Sequence, residues 1–266
     1  MIQAGGSGHL GGAMSCIDIV TSLYAGILKI DRRHPEDPAR DRFLLSAGHK
    51  ALAQYAVLTL FGFAPESTLD TYGSYGSALP GHPDMHKLPG VEGNTGALGH
   101  GAAIAAGMAL AARLDGRGSR TVVVLGDGEL AEGSNWEAFA AAAHHRLGAL
   151  VAVIDSNGLQ ISGPVGDIMD LSSLEAKMQA FGWDTVTIDG HDYGQIDDAF
   201  SKPSEPFGRP TAIIARTVKG QGIPGLAGTL ESHYWTPSEE ELATALHELD
   251  ERIARLLRHE RREVSA

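Results

Sequence analysis

The chain contains short, continuous apolar runs that alternate with segments of helical spacing. Two of these runs, RTVVVLG at 120–126 and ALVAVID at 149–155, are joined by one helical segment near 132–146. Two more runs rich in β-branched residues follow at 184–189 and 211–218. Strands that are apolar along their whole length are typical of a parallel sheet buried on both faces. We therefore predict an α/β fold, a parallel sheet with helices on both faces and right-handed crossovers.

Further segments are predicted to form helices and one long loop. Helical spacing of apolar residues also occurs at 14–30, 49–63, 99–114 and 237–262. The last of these segments is amphipathic, and its arginine-rich end suits the C-terminal helix dipole. Packing against the chain and contact with a partner explain this helix about equally well. Residues 72–98 are dense in Gly, Pro and Asn, which predicts an irregular loop of the kind that often carries function.

Composition and charge exclude several classes of protein. A hydrophobic content of 43% and a charged content of 20% are typical of globular proteins and argue against disorder and coiled coil. The formal net charge of -12 disfavours nucleic acid as a partner, because nucleic-acid binders normally carry a basic face. The apolar stretch at 101–112 is too short to span a membrane, so we predict no membrane partner. A single cysteine, Cys16, rules out an internal disulfide and favours a cytoplasmic location.

Polar side chains follow the two strands at 120–126 and 149–155. Asp127 lies between two glycines directly after the first strand, and Asn157 follows the second. Ligands of open parallel sheets bind beyond the carboxyl ends of the strands, so both side chains can face one small volume. Oxygen ligands suit Mg²⁺ or Ca²⁺, and flanking glycines let backbone N–H groups approach an anion. Asp-Gly alone is equally typical of a hairpin turn, but the SNG at 156–158 favours a site for a phosphate-bearing ligand.

Several motifs together resemble one known family. The pair GDGELAEGSNWEA and IDSNGLQISG is similar to the thiamine-diphosphate motif, in which GDG is followed by Asn. Further stretches resemble transketolases in the same order, namely AGGSGHLGG at 4–12, DRFLLSAGHKALAQYAVL at 41–58, LPGHPD at 79–84, LPGVEGNTGALGHG at 88–101 and TVKGQG at 217–222. The resemblance implies that residues 1–266 form a single diphosphate-binding domain. It also implies an enzyme that uses thiamine diphosphate and Mg²⁺ (or Ca²⁺) to transfer a two-carbon ketol unit from a ketose, or ketose phosphate, to an aldose.

The resemblance implies a role for each matching position. Asp127 and Asn157 would ligate the divalent metal through their side chains, and Leu159 would do so through its backbone carbonyl. The remaining cofactor contacts would come from His49, Gly126, Gly128 and His233 at the diphosphate and from Gly96 and Leu98 beside the aminopyrimidine.

Three histidines are assigned to the reaction itself. His9 and His82 would face the reacting carbons of the ketose, and His233 would join them from the diphosphate side. A histidine is more often structural than catalytic. However, the SGH, AGH and PGH stretches place His9, His49 and His82 in glycine-flanked loops, which favours proton transfer by imidazoles of near-neutral pKa.

Three acidic residues follow GDG, at positions 129, 132 and 137. The resemblance implies that Glu132 reaches across a dimer interface toward the partner site. An acid in the first helical turn, favoured by the helix dipole, is an equally good interpretation of Glu132. Glu129 and Glu137 are predicted to be ordinary helix-start and surface acids.

No residue of this chain matches the glutamate that activates the cofactor aminopyrimidine in transketolases. We therefore predict a separate partner subunit with the pyrimidine-binding domain, in two copies of each subunit with active sites at interfaces. Two alternatives remain. One is a subunit of another thiamine-diphosphate enzyme, such as a 2-oxo acid dehydrogenase or decarboxylase, which should lack SGHLGG and PGHPD. The other is a catalytically silent binding module.

Overall fold

A five-stranded parallel sheet lies at the centre of the computed structural model, which describes residues 1–202, 205 and 207–263, with side chains to residue 258. The strands are β1 Arg42–Leu45, β2 Thr121–Gly126, β3 Leu150–Ser156, β4 Asp184–Asp189 and β5 Thr211–Arg216. Their order across the sheet is β1-β2-β3-β5-β4, and every pairing is parallel. The predicted α/β fold is confirmed, and β1 is a strand that the sequence pattern did not predict.

Helices cover both faces of this sheet. They are α1 Ile2–Gly5, α2 Leu10–Ser22, α3 Ala51–Leu60, α4 Gly101–Leu114, α5 Gly133–His144, α6 Val165–Ile168, α7 Leu174–Ala180, α8 Tyr193–Phe200 and α9 Glu239–Glu263. The helix predicted at 14–30 begins earlier, at Leu10, and passes into a π-helical turn at Leu23–Ile27. Gly26 has non-helical backbone angles within this turn, and the helical segment ends before residue 30. Residues 72–98 form turns and bends without a helix or strand, as predicted.

The alternation of side chains along the strands explains their apolar sequences. On β2, Val122 and Val124 belong to one buried cluster with residues of α2, α3 and α8. Val123 and Leu125 belong to a second buried cluster with residues of α4, α5 and α7. Because successive side chains of a strand point to opposite faces, a strand covered on both sides must be apolar at every position.

The segment that begins with α2 and the amphipathic helix α9 differ in how much of their apolar surface is buried. The segment Leu10–Ile27 is long and apolar enough to cross a membrane, but 50% of it is buried in the chain. This burial is expected of a core helix. On α9, Ala245 is buried, whereas Leu246, Ile253, Leu256 and Leu257 are exposed. α9 therefore packs on the chain at Ala245, and contact of its exposed apolar residues with a partner stays a prediction.

The register of the sheet sets the position of the GDG segment. β2 and β3 are neighbours, and Gly126 at the end of β2 pairs with Asp155 near the end of β3. The segments that follow these strands therefore leave the sheet side by side. This arrangement brings Asp127 and Asn157 to the same edge.

Candidate active site

One cavity of about 360 Å³ lies beyond the carboxyl ends of β2 and β3. It contains every residue that the sequence analysis assigned to metal, cofactor or reaction. These lining residues are His9, His49, His82, Gly96, Leu98, Gly126, Asp127, Gly128, Asn157, Leu159 and His233. Their individual roles stay predictions. Glu132 does not line the cavity; it is an exposed residue directly before α5, and its reach toward a partner also stays a prediction.

The predicted metal ligands meet where the two strands end. The Asp127 Oδ2 accepts a hydrogen bond of 2.6 Å from the Gly158 N–H, which ties this carboxylate to the segment of Asn157 and Leu159. The Asn157 Oδ1 accepts a bond of 3.1 Å from the Leu159 N–H. Burial raises the pKa of Asp127, and the Gly158 hydrogen bond opposes this only in part. A cation here would favour the charged carboxylate, so these residues fit a divalent metal.

Two glycines allow close packing in the cavity wall. A Cβ at Gly128 would lie 2.7 Å from the Gln160 Cγ, and a Cβ at Gly96 would lie 2.7 Å from the His82 Cδ2. Gly96 also has a φ of 140°, which side chains rarely allow. The Gly128 N–H, predicted to face a diphosphate, donates to the Asp127 Oδ1 at 2.9 Å. A 3-10 turn, Gly128–Ala131, follows Asp127, and α5 begins at Gly133, close to the predicted start near 132.

Four histidines from separate segments meet in the cavity. The ring centroid of His9 lies 5.3 Å from that of His49, 6.3 Å from that of His82 and 5.1 Å from that of His233. The rings of His49 and His233 are stacked with centroids 6.1 Å apart. Several imidazolium charges at these distances would repel one another. The cluster is therefore suited to neutral imidazoles that exchange hydrogen bonds with a ligand.

Burial keeps three of these histidines uncharged. It lowers the pKa of His49 to about 2 and that of His233 to about 4, with the charges of Lys50 and Lys219 acting in the same direction. It also lowers the pKa of His9. Both ring nitrogens of His233 are buried and have no hydrogen-bond partner among the described residues. Because an unpaired buried polar group is costly, His233 fits a polar ligand such as a diphosphate.

A buried ion pair lies between the cavity and the sheet. The Lys50 ammonium bonds the Asp155 carboxylate, and both side chains are almost fully buried. The same carboxylate accepts hydrogen bonds from the Ser15 Oγ, at 2.5 Å, and from the Thr217 Oγ1. Burial alone would lower the pKa of Lys50, but the charge and hydrogen bond of Asp155, together with the nearby Cys16 and Asp127, outweigh burial and raise this pKa. The pair therefore fixes α2, β3 and the end of β5 around a charged Lys50.

Lys219 places a second ammonium group in the cavity wall. Its Nζ lies 3.4 Å from the carbonyl oxygen of Leu159 and 3.4 Å from that of Gln160. Burial, followed by the charge of Lys50, lowers the pKa of Lys219 to about 8. An ammonium group in this position can offset the charge of an anionic ligand.

Glu129 is not the ordinary helix-start acid that its position predicted. It is buried, and its Oε1 accepts hydrogen bonds from the Ser46 Oγ at 2.5 Å and the Gly99 N–H at 3.0 Å. Its Oε2 accepts a bond of 3.1 Å from the Gly126 N–H. Glu137, by contrast, is exposed as predicted.

Sequence reasoning missed three ionic residues of the cavity wall, Lys50, Glu129 and Lys219, and the Asp155 carboxylate that pairs with Lys50. Two of them carry a signal in the sequence. Asp155 interrupts an otherwise apolar strand, and a carboxylate in such a place needs a buried cation. Lys219 lies in the TVKGQG stretch that supported the family resemblance, although no role was assigned to it.

Comparison with known proteins points to one family. The family described as "Transketolase, thiamine diphosphate binding domain" matches residues 1–250. A protein of Phocaeicola vulgatus, named as a subunit of apulose-4-phosphate transketolase, is 40% identical over 250 residues, covering 94% of this chain and 89% of that protein. The 6-deoxy-6-sulfo-D-fructose transketolase subunit SqwG of a Clostridium species is 40% identical over 245 residues, covering 92% of this chain and 89% of that protein.

Solved structures agree with this comparison. The transketolase from Campylobacter jejuni superposes with a TM-score of 0.85 at 32% sequence identity. The match covers 92% of this chain but 39% of the C. jejuni chain. This chain is thus similar in length to the separate subunits and spans well under half of that transketolase.

Proposed function

Because the chain belongs to the transketolase family, we propose that it is the cofactor-diphosphate-binding subunit of a two-chain transketolase. The observation that carries this proposal is the convergence of Asp127, Asn157 and four histidines on one cavity. Relatives that match along 87% to 89% of their own length are themselves named as transketolase subunits. None of these relatives is named as a 2-oxo acid dehydrogenase.

The protein residues would bind and orient thiamine diphosphate. When bound, the cofactor supplies the nucleophilic carbon and the electron sink that carbon–carbon cleavage requires. The neutral rings of His49 and His233 can hydrogen-bond diphosphate oxygens, and the Lys219 ammonium can offset their charge. Gly128 lets the backbone come close to the same group. These contacts hold the cofactor at the end of the cavity that Lys50 and Asp155 make rigid.

His9 and His82 would act on the substrate. Ketol transfer needs protons to move on the hydroxyl and carbonyl oxygens of the donor sugar. A neutral imidazole can take such a proton, and the imidazolium that forms can return it. We place His9 and His82 in this role because both rings line the same cavity, with centroids 6.3 Å apart.

Mg²⁺ is the metal that the donor set suits best, with Ca²⁺ as the alternative. The proposed ligands are one carboxylate, one amide oxygen and one carbonyl, from Asp127, Asn157 and Leu159. Hard oxygen donors with positions left for water and phosphate oxygens are typical of Mg²⁺. Among the described residues no group of three or more His, Cys, Asp or Glu side chains could hold a metal, which disfavours a transition-metal centre.

The proposal includes a partner subunit with the pyrimidine-binding domain, in two copies of each chain. It also includes ketose and aldose phosphates as substrates and a cytoplasmic location. The relatives named as subunits support the partner. The resemblance to transketolases also implies that basic residues which bind the sugar phosphate group lie on the partner.

Reconstitution tests the proposal. The chain is mixed with its partner subunit, thiamine diphosphate and Mg²⁺, and ketol transfer from a ketose phosphate to an aldose phosphate is measured. Asp127→Ala and the milder Asp127→Asn should abolish transfer and cofactor binding, whereas Asp167→Ala, at an exposed aspartate, should change neither. Unchanged thiamine-diphosphate affinity in both Asp127 variants would contradict the proposal, and so would full activity without the partner.

A further inference from the structure

Tyr234 contacts two of the cavity histidines, although the sequence analysis gave it no role. It ends the 3-10 turn Glu231–Tyr234, directly after His233. Its hydroxyl oxygen lies 3.2 Å from the His9 Nε2. Its ring centroid lies 4.7 Å from that of His9 and 4.5 Å from that of His233, with an edge-on contact to His233. The tyrosine therefore forms a polar and an aromatic contact at the rim of the cavity.

The chemistry of the pair favours one direction for this hydrogen bond. Burial, then the nearby charges of His82 and Lys219, lower the pKa of His9, so its ring is neutral and has one N–H and one lone pair. The imidazole lone pair is a better acceptor than a phenol oxygen, and the phenol O–H is a good donor. In the favoured direction Tyr234 would donate to Nε2, and the proton of His9 would lie on Nδ1.

We infer that Tyr234 is a positioning residue that makes His9 meet the substrate as a hydrogen-bond donor through Nδ1. This inference rests on the proposed function. Among the described residues the His9 Nδ1 forms no hydrogen bond, so its N–H is left for a ligand in the cavity that His9 lines. A donor in this position suits the carbonyl oxygen of a ketose, which gains negative charge as the carbonyl carbon is attacked.

Among the described residues, Tyr234 is the only hydrogen-bond partner of the His9 ring, which also lies beside the other three cavity histidines. His9 directly precedes α2 and its side chain forms no capping hydrogen bond. In Tyr234→Phe the aromatic contacts with His9 and His233 remain, so this variant removes only the hydroxyl. Its effect is therefore separable from loss of the cavity wall.

Two measurements test the inference. In ¹⁵N NMR of the chain, His9 should show the Nδ1–H tautomer, and Tyr234→Phe should shift it toward a mixture of tautomers. In the complex with the partner subunit, Tyr234→Phe should lower kcat about fivefold, the scale of one neutral hydrogen bond. The KM for the ketose and the affinity for thiamine diphosphate should change little. Tyr75→Phe, at a fully exposed tyrosine, is the matched control.

The outcomes separate this inference from the proposed function. An Nε2–H tautomer in the wild-type chain, or a tautomer that Tyr234→Phe leaves unchanged, would overturn the inference. A higher kcat/KM in Tyr234→Phe would also overturn it, because the hydroxyl would then obstruct the substrate. If the wild-type complex shows no ketol transfer, the proposed function fails, and the NMR measurement still decides the pairing of Tyr234 with His9.

Discussion

Glu129 is a buried carboxylate that joins three segments around the cavity. It binds Ser46 after β1, Gly99 before α4 and Gly126 at the end of β2. Burial raises the pKa of Glu129, and the three hydrogen bonds oppose this by favouring the charged form. Backbone pairing already joins the ends of β1 and β2, where the Ser46 N–H donates to the Val124 carbonyl oxygen. Glu129 adds a side-chain link from both strand ends to the segment of Gly99.

Replacing Glu129 should therefore destabilise the chain. Glu129→Ala leaves three hydrogen-bond donors without their acceptor, at about 1 kcal/mol each, so the free energy of unfolding should fall by about 3 kcal/mol. Glu137→Ala, at an exposed acid in the same motif, should change it by less than about 0.5 kcal/mol. Urea denaturation of both variants measures the difference. Equal effects would show that Glu129 has no special role in stabilising the fold.

The buried histidines predict acid sensitivity, and His49 gives the clearest case. Its pKa is about 2 in the folded chain against an ordinary value of 6.5, because burial disfavours the charged ring. Below pH 6.5 the unfolded chain therefore binds a proton that the folded chain does not, and stability falls as the pH falls. Each such proton changes the free energy of unfolding by about 1.4 kcal/mol per pH unit.

Between pH 6 and pH 4, His49→Gln should lower the slope of unfolding free energy against pH by about 1.4 kcal/mol per pH unit. This window lies below the ordinary histidine pKa of 6.5 and above the pKa of His49 in the folded chain. Urea denaturation at several pH values measures the slope for each protein. His144→Gln, at an exposed histidine, is the control and should keep the wild-type slope. An unchanged slope in His49→Gln would mean that His49 is protonated in the folded chain.

At the scale of elements, sequence patterns predicted the long apolar strands but not the short ones. β2 and β3 have six or seven residues that are apolar almost throughout, which is a strong signal. β1 has four residues between polar stretches, too few for periodicity to be visible. α7 and α8 are seven and eight residues long, and the sequence pattern did not predict them for the same reason.

The candidate site also contains residues that the sequence predicted and residues that it did not. The residues that line the cavity from loops, such as His9 and Gly96, were predicted because the family resemblance assigned them. The ion pair between Lys50 and Asp155 joins residues far apart in the chain, and no local pattern encodes such a contact. Long-range contacts of this kind become visible only when the topology of the sheet is known.

The conformation of the loop at 88–98 depends on a glycine at position 96. Gly96→Ala would place a Cβ 2.7 Å from the His82 ring, at a φ that favours glycine. We expect a loss of stability of about 1–2 kcal/mol and at least a tenfold loss of thiamine-diphosphate affinity, since His82 and the backbone must move. Calorimetric titration of the complex with the partner measures the affinity, and thermal unfolding measures the stability.

Gly107 provides the matched control for Gly96. It lies inside α4, is exposed, and a Cβ there would meet no atom within 4 Å. Gly107→Ala should therefore stabilise the chain by about 0.5–1 kcal/mol and leave cofactor affinity unchanged. If Gly96→Ala behaves like Gly107→Ala, the loop conformation does not depend on the glycine.

At the scale of the whole molecule, ligand binding and stability should be linked. A ligand that binds only the folded protein stabilises it by about 2.7 kcal/mol at one hundred times its Kd. The cavity brings segments near both ends of the chain together, from His9 to His233. A cofactor bound there would therefore stabilise the chain as a unit and raise its Tm.

Lys219 is the residue that tests this linkage, because its ammonium faces the cavity without taking part in the buried ion pair. In the complex with the partner, thiamine diphosphate and Mg²⁺ should raise Tm, and EDTA should remove the rise. Lys219→Met should lose most of the rise, since a charged hydrogen bond to the diphosphate contributes about 1.5–3 kcal/mol. Lys29→Met, at an exposed lysine, should keep it. A full rise in Lys219→Met would place the diphosphate away from Lys219, and a rise that survives EDTA would contradict binding through a metal.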